Sequence, residues 1–491
     1  MIKKVIFRAD GSSTTGLGHL YRLFSLVEIV KDTLDFVFLT HETTTNSVIS
    51  KTYHKAIIPR EINIEDEPEW LAANFLPEEH IIIADGYQFN SLYQKKVKQK
   101  GYNLIYIDDL AKEYMYADVV INHSPYIQEK RYNKEPNTKL ALGTKYALLR
   151  PLFLEEATKD RTINVIDSAF VCFGGADPIN LTLIAVKALL QIPTFKKIHV
   201  VLGGAYKHIE IFDLEVKHSD KIKTHKNLSE ERLIKVMQQC NFAVAPASTI
   251  LYELSCIKMP ILSGYFVDNQ KNIYKGLVKE KTIIEGGDLT KYTSSDFKQE
   301  ISSAINKNRA ESFIAHQKNL IDGNSKNRFL GLINGLTISL RKAKEEDMLL
   351  VFKWSNDKLV RKNSYNSKPI LLENHKKWFL QKIKSQNTLF LIALINDEPS
   401  GVVRFDIGKH YSTVGILVSK FYRGQKLASE FLKESAKIYF RIQTVPILAY
   451  IKKENKASTK AFENANYKYF KDENVKGSTS FVYKLEKQDV G

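Results

Sequence analysis

His19 closes the stretch GLGH (Gly16–His19), with the β-forming run IFRAD ahead of it and a helical spacing of apolar residues (Leu20, Leu23, Phe24, Val27) behind it. That order reads as strand, tight turn and helix start. The first N–H groups of a helix are unpaired, so its N-terminus collects anions. A histidine there can act as a base near neutral pH, contact a phosphate, or sit as a neighbour of the cap.

A second set of turns has the chemistry to hold a nucleotide. FGGADP (Phe173–Pro178) puts Gly174 and Gly175 directly after a strand, where backbone can approach a ligand closely. APASTILYEL places Ser248 and Thr249 at a helix start suited to a diphosphate. Glu253 follows about one turn later on the same face, where a carboxylate can accept a ribose hydroxyl. DNQ (Asp268–Gln270) comes after the next strand. Taken singly, each is an ordinary turn, cap or helix residue; in combination they describe a two-domain nucleotide-sugar site. Two common fingerprints are missing. Gly16 and Gly18 run into His19 instead of a third spaced glycine, and there is no lysine-bearing P-loop. A dinucleotide or ATP enzyme is thereby disfavoured.

The elements that must carry these residues follow from the pattern. KKVIFRAD, DFVFLT, HIIIADGY, NLIYIDDLA and ADVVINHSP alternate with helical stretches, which predicts a parallel sheet covered on both faces. In such sheets ligands bind at the carboxyl ends of the strands. The polar residues fall there: Asp10 to His19, Asp85 to Tyr87, Asp108, Asp109, Asn122 and His123. A second α/β unit begins near residue 165, and residues 320–336 read as a helical return and hinge. From Ile338 the pattern becomes α+β, with two strands (TLFLIALI and GVVRFDI) joined across a turn at Asp397–Gly401. The expected fold class is α/β, a pair of doubly wound Rossmann-type domains (1–160 and 161–336), followed by an α+β domain (337–491).

The chain has 491 residues, 44% of them hydrophobic, and a formal charge of +17. Its lysines are spread among Glu and Asp with no long basic run, so the charge favours anionic small substrates over nucleic acid. No apolar run approaches the roughly 20 residues of a membrane span. MIKKVIF enters a strand without the features of a signal peptide. Three scattered cysteines (Cys172, Cys240, Cys256) suit a reducing cytoplasm and neither a disulfide framework nor a metal site. Oligomeric state is left open.

Eight stretches, RADGSSTTGLGHLYRLFSLV, DGY, YIDDLA, ADVVINHSP, FGGADPINLT, ASTILYEL, DNQ and IDGNSKNRF, occur in the order found in the UDP-sugar hydrolases of pseudaminic acid biosynthesis. Residues 1–335 resemble that family, which is similar in fold to GT-B glycosyltransferases. The resemblance implies release of UDP from a 2,4-diacetamido-2,4,6-trideoxy-altropyranose, without a metal. It implies a catalytic role for His19, Tyr87 and Asn269. It places Asp10, Gly16, Gly18, Arg22, Gly174, Gly175, Ser248, Thr249, Glu253 and Gln270 at the nucleotide-sugar. Because UDP leaves as a stable anion, one base that activates water suffices, and the helix end disfavours an imidazolium at His19. A GT-B glycosyltransferase that passes the sugar to a lipid or protein is the competing expectation.

Residues 338–487 resemble the GNAT acetyltransferases through WSND, HKKWF, GVVRFD, VGILVSKFYRGQKLASEFL and AYIKKENKASTKAF. The resemblance implies acetyl-CoA as co-substrate, held by Leu417, Val418, Arg423, Gly424, Gln425, Lys426, Leu427, Ala428, Asn455 and Ser458. Lys426 replaces the central glycine of the pyrophosphate loop: a side chain is tolerated there if φ stays negative, and then either its ammonium reaches a phosphate or the departure weakens cofactor binding. Asn466 also replaces a glycine, and Asn accepts the left-handed region. Phe462 stands where relatives carry a tyrosine acid, and Asp406, His410 and His375 are open candidates for the base. Fusion to the first region points to an amine on a UDP-sugar as acceptor, so that one half makes the substrate of the other.

Overall fold

The computed structural model describes residues 3–12, 16–307 and 309–490; the Ser-Thr middle of the first glycine loop lies outside them. The chain forms two compact units, Lys4–Lys326 and the part from Asn327 onward.

The first unit contains two parallel sheets. One is built from β1 (Lys4–Ala9), β2 (Phe36–His41), β3 (Lys55–Ile58), β4 (His80–Asp85), β5 (Asn103–Ile107), β7 (Val119–Asn122) and β9 (Lys139–Leu142) in the order β3-β2-β1-β4-β5-β7-β9. Two short strands, β6 (Tyr114–Met115) and β8 (Asn133–Lys134), pair with each other. The other sheet has β10 (Ser168–Val171), β11 (Lys197–Leu202), β12 (Ile222–Lys226), β13 (Phe242–Pro246), β14 (Ile261–Tyr265) and β15 (Ile284–Asp288), in the order β12-β11-β10-β13-β14-β15. In both, the chain reverses its direction of travel across the sheet after the first three strands, which leaves a crevice at the strand ends. The central strands β1 and β4 are runs of Val, Ile, Phe and Ala with almost no exposure, as burial on two faces demands. The five strands expected in the first sheet are present; β3 and β9, at its edges, are additions.

The second unit holds one mainly antiparallel sheet: β16 (Ile338–Lys342), β17 (Thr388–Ile395), β18 (Glu398–Asp406), β19 (Ser412–Val418), β20 (Ile447–Lys452), β21 (Lys468–Val475) and β22 (Ser478–Leu485), ordered β16-β17-β18-β19-β20-β22-β21. The β17–β18 turn is tighter than the expected Asp397–Gly401. Only Asn396 and Asp397 form it, with φ of 49° and 64°, a two-residue hairpin of the kind that matches strand twist. Pro399 therefore lies inside β18, opposite Leu394, at a register shift.

Four helices position the sites: α1 (Gly18–Val30), α2 (Ile250–Ile257), α3 (Ser325–Gly335) and α4 (Leu427–Ile442). From Asn327, α3 sorts with the second unit, ten residues before the expected boundary at 337. The cause is local. Asn334 donates from Nδ2 to Gln425 Oε1 at 2.8 Å, and a Cβ at Gly331 would lie 2.1 Å from the Gln425 carbonyl oxygen. Among the described residues, no helix is long and apolar enough to cross a membrane, and no group of three or more His, Cys, Asp or Glu is arranged to hold a metal. All three cysteines are buried and free.

Candidate functional sites

The register of β1 against β4 puts Ala9 beside Asp85, so the strand end before the glycine loop meets the strand end of DGY. His19 is the second residue of α1, and its Nδ1 lies 2.7 Å from Asp85 Oδ1. Asp85 is fully buried. A carboxylate only accepts, so His19 Nδ1 carries the proton and Nε2 is left as a lone-pair acceptor. One helical turn on, Arg22 donates from Nε to Asp85 Oδ2 at 2.7 Å and from Nη2 to Oδ1 at 2.5 Å. Its Nη1 donates to Asp109, just beyond β5. Burial works against the charge of Asp109, but Arg22 outweighs it and holds this carboxyl below its usual range. Tyr87 donates its hydroxyl to Asp109 Oδ2 at 3.3 Å, and its ring meets the His19 ring edge-on at 4.6 Å.

His19, Arg22 and Tyr87 are thus brought together, with Asp85 and Asp109 as the carboxylates that align them. Asp10 is used differently. Its carboxylate accepts from Arg8 Nη1, the His41 N–H, Thr40 and Thr44 on one oxygen and from Gln88 on the other. These bonds brace the end of β1 against β2 and Gln88. Gly16 has φ of 86°, and an added Cβ at Gly16 or Gly18 would meet nothing within 4 Å.

In the other half, Gly174 (φ 83°) and Gly175 also face open space. The turn depends on Gly203, whose added Cβ would lie 2.4 Å from the Gly174 carbonyl oxygen and the Gly175 Cα. Ser248 and the exposed Thr249 precede α2, and the Thr249 hydroxyl makes no capping bond. Glu253 is bound to Arg150, whose Nη2 donates to Oε1 at 2.6 Å. Burial raises its pKa and Arg150 only partly offsets that. Asn269 is exposed in the single turn Asp268–Gln270. Gln270 folds back, its Oε1 accepting from the Phe266 N–H at 3.0 Å, so that its carbonyl oxygen supports its own loop.

In the second unit β19 pairs with β20 only at Ser412 and Thr413, and residues 414–418 diverge from it. A cavity of about 520 Å³ is lined by Gly415, Ile416 and Leu417 of β19 together with His375, Trp378 and Arg404. Val418 continues that strand and its carbonyl accepts from Arg423 Nε at 3.0 Å. Leu427 and Ala428 begin α4, with Lys426 as its N-cap. Asn455 caps the helix Lys456–Asn464 by accepting from the Ser458 N–H at 3.2 Å.

Residues 337–468 match the acetyltransferase (GNAT) domain family. A protein of Campylobacter jejuni named UDP-2,4-diacetamido-2,4,6-trideoxy-beta-L-altropyranose hydrolase is 26% identical over 288 residues, 57% of this chain and 98% of its own. The spore coat polysaccharide biosynthesis protein SpsG of Bacillus subtilis is 23% identical over 285 residues, 57% of this chain and 82% of its own. The chain fuses a homologue of that hydrolase to a GNAT domain. An uncharacterized protein of Methanocaldococcus jannaschii is 23% identical over 510 residues, 95% of this chain and 96% of that one.

Within the GNAT domain the condition of a negative φ at Lys426 is not met. Its φ is 61° and ψ 15°, the left-handed conformation, because the loop must reverse directly into α4. Lysine holds a glycine's conformation there at a cost on the order of 1–2 kcal/mol. Asn466, at φ 65°, does adopt the left-handed region expected of it. Arg423 donates from Nη1 to Asp357 of the WSND motif at 2.9 Å, a partner not assigned from sequence. Among the three base candidates, Asp406 is held by Lys382 and Arg404, His410 is exposed, and His375 lines the cavity at 1% exposure. Burial pushes the His375 pKa down against a bond to the Met348 backbone, and among the described residues its Nε2 has no partner. Phe462 is buried in the core.

In the hydrolase homologue, Asp85, Asp109, His123 and Arg150 are the additions. Asp85 ends β4, Asp109 and His123 follow β5 and β7, and that position at the strand ends is the one signal the sequence gives for them.

Proposed function

We propose that this chain is a bifunctional nucleotide-sugar enzyme: its GNAT half acetylates the amine of a UDP-4-amino-4,6-dideoxy-sugar, and its first half hydrolyses the resulting UDP-2,4-diacetamido-2,4,6-trideoxy-sugar to UDP and free sugar. The observation that carries the hydrolytic reading is the His19–Asp85 contact of 2.7 Å at the start of α1. A carboxylate that fixes Nδ1–H leaves Nε2 to take a proton from water as the water attacks the anomeric carbon. The sugar–diphosphate bond breaks with inversion, and UDP departs as an anion toward the Ser248–Thr249 helix start. Arg22 and Asp109 hold the base in place, and Tyr87 and Asn269 flank the sugar. The fold supporting this is of GT-B type, divided at about residue 160.

In the acetyltransferase half, the divergent edge of β19 offers unpaired backbone to the pantetheine arm of acetyl-CoA. The N–H groups of residues 423–428 offer the pyrophosphate a nest at the start of α4. The acceptor amine gives up its proton and attacks the thioester carbonyl, the C–S bond breaks, and CoA leaves as a thiol. α3 forms the outer wall of the pyrophosphate loop. Gly331→Val is therefore expected to raise the KM for acetyl-CoA at least tenfold, with the KM for the amine changed less than threefold. Steady-state CoA release checks this.

Incubating the full chain with acetyl-CoA and the UDP-4-amino-sugar is expected to release CoA, UDP and the free diacetamido sugar, resolved by chromatography and NMR. UDP that stays bound to sugar in water but is released on adding a lipid acceptor would replace hydrolysis by glycosyl transfer.

A further inference from the structure

His123 is the first residue after β7. It sits on the crevice side of the first sheet, where its ring packs against Tyr252 of α2 at 5.5 Å. The Tyr252 hydroxyl also reaches the His123 carbonyl oxygen at 3.4 Å. His123 is thus in contact with the helix whose start is assigned to the diphosphate. Its charged neighbours are Arg22, Asp109 and Asp85, the groups that align His19. It therefore lies between the water-activating group and the nucleotide-binding helix, the region that the breaking sugar–diphosphate bond must occupy.

The two histidines are set in opposite tautomers. His19 Nδ1 lies 2.7 Å from Asp85 Oδ1 and 3.2 Å from Arg22 Nη2; the shorter contact, to an acceptor, makes Nδ1 the donor and leaves Nε2 as an acceptor. His123 Nδ1 faces the Leu148 N–H at 3.3 Å and must accept, so that in the neutral ring the proton is on Nε2. Burial, with the positive charge of Arg22, pushes the His123 pKa down to about 4, so the ring is neutral at working pH.

Resting on the hydrolase reading, we propose that His123 is a second functional histidine of this crevice, a neutral Nε2–H donor to the diphosphate oxygen that leaves the anomeric carbon. In the step, the water proton passes to His19 Nε2, the C–O bond breaks, and both bonding electrons stay on the phosphate oxygen. His123 retains its proton and donates a hydrogen bond to that oxygen as its charge grows. UDP needs no proton to leave, but a preorganised donor lowers the barrier further.

Two substitutions separate this role from a structural one. His123→Asn keeps an acceptor near the Nδ1 position for Leu148 and removes the distal donor. His123→Gln keeps a distal N–H and loses the proximal acceptor. Kinetics of UDP release from the UDP-diacetamido sugar are measured on the full chain, with CoA release by the same preparation as the check of folding. The donor role predicts kcat down at least 100-fold in His123→Asn with KM within threefold, and His123→Gln at least tenfold faster than His123→Asn. Near wild-type kcat in His123→Asn with a slower His123→Gln would reduce His123 to an anchor for Leu148 and overturn the proposal. Two-dimensional 15N–1H spectra of the imidazoles in the wild-type chain test it independently, with an Nε2–H tautomer expected and an Nδ1–H tautomer overturning it. A wild-type chain that releases CoA but no UDP would overturn the hydrolase reading, and this proposal with it.

Discussion

Asp85→Asn is expected to lower kcat for UDP release by about 10²–10⁴-fold, the range seen when the residue orienting a catalytic histidine is neutralised. Asparagine has nearly the shape of aspartate, so the pocket survives, but its amide can rotate to donate to Nδ1 instead of accepting. The His19 proton then moves to Nε2 and the lone pair turns away from the water. UDP affinity should change by less than threefold, because Ser248, Thr249 and Glu253, to which the nucleotide is assigned, belong to the half built on the other sheet. The substitution has a second effect to control for. Asp85 is fully buried and takes two hydrogen bonds from Arg22, which keeps Asp109 as its remaining counter-ion. A melting curve therefore accompanies the kinetics. Unchanged kcat in a folded Asp85→Asn chain would remove His19 Nε2 as the base.

The effect depends on a contact across 66 positions of chain, and that distance is why the sequence hid it. The alternation of apolar strands and helices was readable because both faces of each parallel sheet are covered, which forces continuous runs such as VIF and IIIA. Their ends were readable because polar residues gather where the apolar runs stop. The pairings among those ends were not, because they depend on sheet order. Asp85 reaches His19 only because β4 lies beside β1, and Asp109 reaches Arg22 only because β5 is next. Arg150 and Asp357 were hidden for the same reason, each bound to a partner more than 60 residues away. β3 and β9 are edge strands of four residues each, mostly exposed or half-buried, too short for their alternation to stand out. The conformation of Lys426 was hidden for another reason: residue type does not fix φ, and the reversal into α4 imposes the left-handed state on whichever residue is there.

Arg8→Met is expected to destabilise the first unit by about 3–5 kcal/mol, since removing one partner of a buried ion pair leaves the other charge without compensation. Arg8, on β1, is 1% exposed. It donates to both oxygens of Glu67 at 2.8 and 2.7 Å, and to Asp10 at 2.5 Å. Its guanidinium also lies over the Phe89 ring at 5.0 Å. Methionine fills much of the volume but, among the described residues, leaves Glu67, itself 2% exposed, with the Tyr93 hydroxyl at 2.6 Å as its side-chain partner. In thermal melts the shift should be on the order of 10 °C. Arg8→Met combined with Glu67→Met should recover part of that loss, because it removes the stranded charge as well. The same cluster sets an acid limit. Burial opposes the Asp10 charge, but Arg8 and the His41 N–H outweigh it and bring its pKa down to about 2. A folded-state pKa below the unfolded one stabilises the fold above about pH 4, and that contribution is lost as the pH falls toward 2. Asp10→Asn should flatten this part of the acid unfolding curve, and an unaltered curve would show that Asp10 does not brace the loop. Because Asp10 ties that loop to His41, Thr40 and Thr44, loosening it also displaces His19. Arg8→Met should therefore lose UDP release below its melting temperature, through kcat, even where nucleotide binding persists.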